Sequence, residues 1–224
     1  MSVENRLDTW NDRWNRGATG WQLSDLNFAL ENHASKLLPK PGRRILVPLC
    51  GKTVDLEWFY REGHTVVGIE GVEQAIVEFF TESNLPYITE QTTWAKVYKT
   101  EDDRLKIYCC DLFKMDLKSL GKFDAIWDRG SLVAIYEEDR ERYAELMRDL
   151  LAADFRYLMT ITQYTPNELF SGPPRNIPTE LVEKLFGDMC KLEVLGGRTK
   201  DEEEVAHWNL KSVAELVVLL TPRT

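Results

Sequence analysis

Two hydrophobic periods alternate along the chain. Leu7, Trp10 and Trp14 recur at i, i+3 and i+7, which predicts a short helix with one apolar face. Ser24 is the expected N-cap of a second helix whose stripe is Leu26, Leu30, His33 and Leu37, and His33 on that stripe reads as a core histidine rather than a ligand. Pro39-Lys40-Pro41-Gly42 ends this helical lead-in. The pattern then changes. Ile45-Leu46-Val47 is a continuous apolar run of the kind found in buried parallel strands, followed by the turn Pro48 to Lys52. Leu56, Phe59 and Tyr60 mark a helix closed by Gly63, and Thr65 to Ile69 a strand ending on Glu70. Ala75, Ile76, Phe79 and Phe80 predict another helix. Trp94 to Lys99 and Leu105 to Cys109, flanking Glu101-Asp102-Asp103-Arg104, predict a hairpin. Further on, Phe123 to Asp128 reads as a buried strand, Tyr143 to Leu151 as a helix and Tyr157 to Ile161 as a strand. The stretch 171–178 reads as a proline-rich loop and Val182 to Phe186 as a helix. Leu192 to Leu195 and Val213 to Leu220 close the sequence as strands.

Repeated β-α units imply an α/β fold: a mostly parallel, Rossmann-like sheet with helices on both faces. The expected organisation is one domain over residues 1–224, with a helical extension over 1–40 and an α/β core over 41–224. Composition narrows the function. With 28 Lys+Arg against 37 Asp+Glu the 224-residue chain carries a net charge of −9, which argues against nucleic-acid binding through phosphate neutralisation. The richest apolar stretch, Val213 to Leu220, is eight residues long and contains Glu215, far short of a membrane span. The start MSVENRLDTW has no signal-peptide h-region, so a cytoplasmic protein is expected. Cys50, Cys109, Cys110 and Cys190 form no C-x-x-C pair, and the three histidines are far apart, so no metal site is expected and the thiols read as reduced and mostly buried. Cys109 and Cys110 are expected on one strand, facing opposite ways.

Candidate chemistry lies at the carboxyl ends of the predicted strands, where α/β sheets bind ligands. Glu70 falls 19 residues after Gly51, close to the ~20-residue offset at which an acid accepts hydrogen bonds from ribose hydroxyls. A solvated strand-end acid would look the same. Gly51-Lys52-Thr53 matches the tail of a P-loop, but Leu46 stands where that motif needs its first glycine and Pro48 lacks an N–H. The dinucleotide fingerprint is missing too, since the first turn holds a single glycine. A ribose acid without a phosphate cradle suits a nucleoside ligand such as S-adenosylmethionine.

Several motifs in order resemble the thiopurine S-methyltransferase family. They are Trp10-Asn11-Asp12-Arg13-Trp14 with Trp21, then Val47 to Lys52, Val66 to Glu70, Tyr108 to Phe113, Gly121 to Gly130 and Gly172-Pro173-Pro174. The resemblance spans Trp10 to Leu220. It implies a seven-stranded methyltransferase sheet with the last strand antiparallel and S-adenosylmethionine as cofactor. It also implies that the cofactor is held by Trp10, Trp14, Trp21, Leu49, Glu70, Asp111, Leu112 and Arg129. Trp21, Pro174 and Arg175 fall on the acceptor side, and Arg129 is the catalytic candidate. The acceptor class implied is a small aromatic or heterocyclic thiol, or a related chalcogen compound. Transfer between a thiolate and a sulfonium cancels both charges, so it needs no metal; a dry pocket and in-line alignment accelerate it, and a nearby cation raises the thiolate fraction.

Three positions depart from the family pattern, all on the acceptor side. Arg175 stands where an aromatic residue follows Gly-Pro-Pro. Glu204 occupies the place of a second arginine four residues before Trp208, and Trp21-Gln22-Leu23 replaces Phe-His-Gln. The expectation is a monomeric S-methyltransferase with no nucleic-acid or membrane partner. Two other readings stay open: an S-adenosylmethionine-binding protein with lost or altered turnover and, more remotely, a P-loop-type nucleotidase.

Overall fold

The structure, a computed structural model, describes residues 6–223. The leaderless start read from Met1 to Trp10 therefore lies partly outside the described residues. The chain divides into two compact units. One runs to Glu31 and resumes over Lys40–Leu120; the other comprises Asn32–Pro39 and everything from Gly121 onward.

In the first unit, the uninterrupted apolar runs become central strands because both of their faces are covered. β1 (Arg44–Pro48) is buried from Ile45 onward and β2 (Thr65–Glu70) from Val66 onward. They pair in parallel, Pro48 opposite Ile69, and β2 pairs in parallel with β5 (Leu105–Cys109), Glu70 opposite Cys109. A parallel pair requires a crossover, supplied by α3 (Asp55–Arg61) between β1 and β2 and by α4 (Glu73–Glu82) after β2. α4 buries Ala75, Ile76, Phe79 and Phe80, the stripe that its period predicts. The sheet continues antiparallel through β4 (Lys96–Lys99) to β3 (Ile88–Gln91), giving the order β3-β4-β5-β2-β1. Ahead of this sheet lie α1 (Arg6–Asn15) and the start of α2 (Phe28–Leu37).

The second unit repeats the logic with longer strands. β6 (Phe123–Arg129) pairs in parallel with β7 (Leu151–Gln163), connected through α5 (Arg140–Leu150). β7 pairs antiparallel with β9 (Val213–Pro222), and β9 with β8 (Cys190–Lys200), in the order β6-β7-β9-β8. α6 (Thr179–Phe186) precedes β8, and α7 (Glu202–Val205) precedes β9.

The α/β class holds, but the described strands number nine rather than seven. β3 is missed because all four of its residues are exposed, so no alternation marks it. β8 runs well past Leu195 as an exposed strand with a bulge between Val194 and Gly196, where the two glycines look like a break. The cap of α2 is Asn27, whose Oδ1 accepts the Ala29 N–H at 2.9 Å; Ser24 instead bonds to Asp25. His33 is only half-buried, not a core residue. Leu151 opens β7 rather than closing α5. Cys110 lies past the end of β5, where its N–H donates to the Glu70 carbonyl, and it and Cys109 are half-buried while Cys50 and Cys190 are buried.

Candidate active site

Two strand ends in the first unit, those of β1 and β2, bring their following turns onto one carboxylate, and the chain leaving β5 bonds to the same residue's backbone carbonyl. Glu70 is 8% exposed. Its Oε2 accepts the Gly51 N–H and its Oε1 the Val72 N–H, each at 2.8 Å. The acid thus fastens the turn after β1 to the turn after β2. These two bonds, with the weaker pull of the Gly71 N–H, leave acceptor capacity unspent on the four lone pairs. Burial pushes the Glu70 carboxyl above its ordinary value, and the N–H groups of Val72, Gly51 and Gly71 pull it partly back. A hidden carboxylate with unspent acceptor capacity fits a vicinal diol. It is a poor description of a solvated strand-end acid.

The turn that Glu70 holds is strained. Leu49 has φ +44°, a conformation costly for a branched side chain, and Gly51 has φ +53°. A Cβ on Gly51 would lie 2.5 Å from Nε2 of Gln22. Gln22 therefore rests directly on the bare glycine, and its Oε1 is buried with no hydrogen-bond partner. An orphaned acceptor beside a glycine turn is the kind of group a ligand N–H completes. The motif pattern marked Gln22 only as part of the departure Trp21-Gln22-Leu23, and no spacing rule singles it out as a site residue.

The tryptophans gather as expected. Trp10 and Trp14 both meet Trp21 edge-to-face, with ring centroids 5.3 and 6.2 Å apart. Trp14 is buried against Val72 and Ala75, and Leu7, Trp10 and Trp21 pack on the same cluster. Gly71 is bare because Leu7 fills the space of its Cβ. The N-terminal helix is thereby seated on the residues that follow Glu70. Arg13 caps the aromatic group, 5.2 Å from the Trp10 ring.

Asp111 and Leu112 follow β5. Asp111 Oδ1 accepts the Phe113 N–H at 2.9 Å and its carbonyl accepts from Lys114 and Met115, so this acid shapes its own turn, while Leu112 is buried. Burial disfavours the thiolate form of the neighbouring cysteines. Burial and the Glu70 charge drive Cys50 well up, and burial holds Cys110 at about 12. The P-loop resemblance also fails in space. Lys52 is committed to Glu78 at 2.8 Å and Glu82 at 2.6 Å, and Thr53 bonds to Asp55.

In the second unit, Arg129 ends β6 and is half-buried. The preceding Asp128 is fully buried. Its Oδ2 accepts the hydroxyls of Tyr143 and Tyr157, each at 2.8 Å, and its Oδ1 the N–H groups of Ser131 and Leu132, each at 3.1 Å. Burial pushes its carboxyl up while the two tyrosine hydroxyls pull it down. Asp128 rivets the loop after Arg129 and is not spent on the arginine itself. Pro174 accepts the Tyr164 hydroxyl at 3.0 Å through its carbonyl. Arg175 donates from Nη1 to the Ala134 carbonyl at 2.7 Å and lies 3.9 Å above the Tyr136 ring. Glu204 completes a capping box with Asp201 at the start of α7. The residue that departs from the family's arginine is therefore occupied in holding a helix end.

The profile described as Thiopurine S-methyltransferase (TPMT) matches residues 5–223. The chain belongs to the thiopurine S-methyltransferase family. A probable thiopurine S-methyltransferase of Danio rerio is 41% identical, covering 97% of this chain and 95% of its own. The thiopurine S-methyltransferase of Mus spretus is 38% identical over 97% and 92%. Among solved structures, a 1,6-didemethyltoxoflavin-N1-methyltransferase from Burkholderia thailandensis, crystallised with S-adenosylhomocysteine, has a TM-score of 0.65 at 17% identity, over 97% of this chain and 87% of that one. A TehB-like S-adenosylmethionine-dependent methyltransferase from Corynebacterium glutamicum gives 0.58 at 16% identity, over 98% and 100%. These distant likenesses support the fold of a family member, which the closer relatives already imply. No helix among the described residues is long and apolar enough to cross a membrane.

Proposed function

We propose that this family member is an S-adenosylmethionine-dependent S-methyltransferase acting on a small aromatic or heterocyclic thiol or a related chalcogen compound. The observation that carries the cofactor reading is Glu70, buried yet only half used by the backbone. When bound, the cofactor supplies an electrophilic methyl group on a sulfonium. Glu70 would accept the ribose hydroxyls, and the turn Leu49-Cys50-Gly51 would let backbone approach the amino-acid end. Asp111 and Leu112 would hold the adenine end. Trp10, Trp14 and Trp21 exclude water, which strengthens every charge interaction they cover. Arg129 is both a cofactor-side residue and the cation that favours the acceptor thiolate, and Trp21, Pro174 and Arg175 address the acceptor. We further propose a cytoplasmic monomer.

The alternative of cofactor binding without turnover draws on Glu204, where the family pattern has an arginine. Turnover across aromatic thiols, aliphatic thiols, selenite and tellurite separates the two. Methyl transfer to an aromatic thiol is the expected result; cofactor binding with no transfer to any acceptor would establish the binder.

A further inference from the structure

Gly51-Lys52-Thr53 looks like the tail of a phosphate loop, yet its lysine is bonded to a helix of the same unit. Lys52 Nζ donates to Glu78 Oε2 at 2.8 Å and to Glu82 Oε1 at 2.6 Å, both on α4. The lysine side chain is mostly covered, at 20% exposed, and Glu78 at 32% is the better covered of its two partners. Glu78 spends its other oxygen on Gln74, whose Nε2 donates to it at 2.7 Å, so both ends of that carboxylate are fixed. Burial opposes the Lys52 charge, but Glu78 and Glu82 outweigh it, and the ammonium titrates above its ordinary value.

The helix gains little from these acids by themselves. Glu78 and Glu82 are four residues apart, a like-charge pair on one face, and Glu82 is the last residue of α4, where the helix dipole disfavours a negative group. The last turn of α4 has no basic residue; Lys52 supplies that charge from the turn after β1. Partly exposed ion pairs add little to overall stability, but these two fix where the turn stands. Leu49 and Gly51 both have positive φ, and a strained turn persists only where its surroundings over-determine it. Three ties run from the turn to the β2–α4 segment. The Cys50 N–H donates to the Ile69 carbonyl at 3.0 Å, the Gly51 N–H to Glu70, and Lys52 to α4. Glu70 also holds the N–H of Val72, the N-cap of α4, so the helix and the acid form one support. Backbone bonds set the start of the turn, and the lysine sets its end.

We propose that Lys52, gripped by Glu78 and Glu82, is a positioning residue that keeps the turn Leu49-Cys50-Gly51 in its strained form beside Glu70, ready for the amino-acid end of the cofactor. The proposal rests on the S-adenosylmethionine reading and deepens it. The ribose end is addressed by the Glu70 carboxylate, the amino-acid end by a turn braced from α4. Lys52 acts through the backbone and not by contact, so a lysine in a phosphate-loop-like setting has a task that needs no phosphate.

Calorimetry on the full chain with S-adenosylhomocysteine and with 5′-methylthioadenosine, which lacks the amino-acid end, tests this without turnover. Lys52→Met should weaken S-adenosylhomocysteine about tenfold, as if the competent turn were about a tenth populated, and 5′-methylthioadenosine less than about twofold. Glu78→Gln, which leaves Glu82 in place, should give a smaller loss in the same direction. Lys52→Glu should bind S-adenosylhomocysteine most weakly, and adding Glu78→Lys, which restores an opposite-charge pair, should recover most of the affinity. In turnover with thiophenol, the cofactor KM should rise in Lys52→Met while kcat at saturating cofactor changes far less. Equal weakening of both ligands, unchanged S-adenosylhomocysteine affinity in folded Lys52→Met, or no recovery in the charge-swapped pair would overturn the proposal. Binding of ATP with Mg²⁺ that depends on Lys52 would overturn it too, since the lysine would then serve a phosphate. Wild-type protein that binds neither adenosine ligand would strike the S-adenosylmethionine reading itself, whereas wild-type binding that the variants leave untouched would strike the proposal alone.

Discussion

Glu70 and Asp128 are both buried acids at the carboxyl ends of central strands, yet they are employed differently. Glu70 accepts one backbone N–H hydrogen bond on each oxygen, with the weaker pull of the Gly71 N–H beside them, and among the described residues no side chain donates to it. Asp128 takes two tyrosine hydroxyls and two N–H groups, filling the four lone pairs a carboxylate offers. Burial raises the carboxyl of each. Burial and a shifted carboxyl therefore do not by themselves distinguish a ligand site from a rivet. What does is the acceptor capacity left after the protein has taken its share. Asp128 is a structural acid, and the capacity left on Glu70 is what supports its proposed role as a binding group.

Removing each acid in turn separates their two roles. Asp128→Ala would leave two tyrosine hydroxyls and two loop N–H groups unpaired in the core. We expect a loss of about 3–5 kcal/mol in unfolding free energy, measured by urea titration, with cofactor affinity in the folded fraction altered far less. Asp128→Asn, which keeps one acceptor oxygen, should lose less. Glu70→Ala should show the reverse emphasis: S-adenosylmethionine binding weakened by about 1.5–3 kcal/mol, roughly 10–150-fold in Kd, with a smaller loss of stability. Unchanged calorimetric affinity in that variant would mean the spare capacity of Glu70 is unused.

The pH dependence separates the same two roles. Both acids titrate above their ordinary values of 4.5 and 3.8 in the folded chain. Between each ordinary value and the raised one, the folded state binds more protons than the unfolded chain. The contribution of these two groups to stability therefore falls as pH rises through that window. Cofactor binding needs Glu70 ionised as an acceptor, so affinity should rise with pH through the same window, by about tenfold per unit below the raised value, and level off above it. Calorimetric titrations across that range should show this slope in the wild type and lose it in Glu70→Gln. A wild-type affinity flat with pH would show that the charge on Glu70 plays no part in binding.

Much of this was legible in the sequence, unevenly. The buried strands β1, β2 and β6 announce themselves through their apolar runs, β5 through the charged turn before it, and Glu70 follows from its distance to Gly51. The exposed strand β3 and the bulged β8 do not, since a strand without a covered face has no reason to alternate. Motif matching nominated the tryptophans, Glu70 and Arg129 as site candidates, but nothing in it marked Asp128 as a structural acid distinct from Glu70. That distinction depends on Tyr143 and Tyr157, 15 and 29 residues further on. The task of Lys52 was invisible for a related reason: its setting in the sequence is the tail of a phosphate loop, and only the fold brings Glu78 and Glu82, 26 and 30 residues further on, to its ammonium.

Gln22 gives the smallest effect and the most specific one. Its Oε1 is buried and unpaired against Gly51, so in the free protein it is a liability. Replacing it by leucine, of similar size, removes an unsatisfied acceptor and should leave stability unchanged or raise it by a few tenths of a kcal/mol. If the oxygen is kept to accept an N–H from the amino-acid end of the cofactor, the same variant should bind S-adenosylmethionine about 1 kcal/mol more weakly, near fivefold in Kd. Opposite signs in urea unfolding and cofactor titration are the mark of a side chain retained for a ligand. A purely structural side chain would move both quantities down together, and a passive surface group would move neither. Gln22→Leu thus applies to one neutral amide the criterion that separates Glu70 from Asp128: acceptor capacity the fold leaves unspent is capacity held for something else.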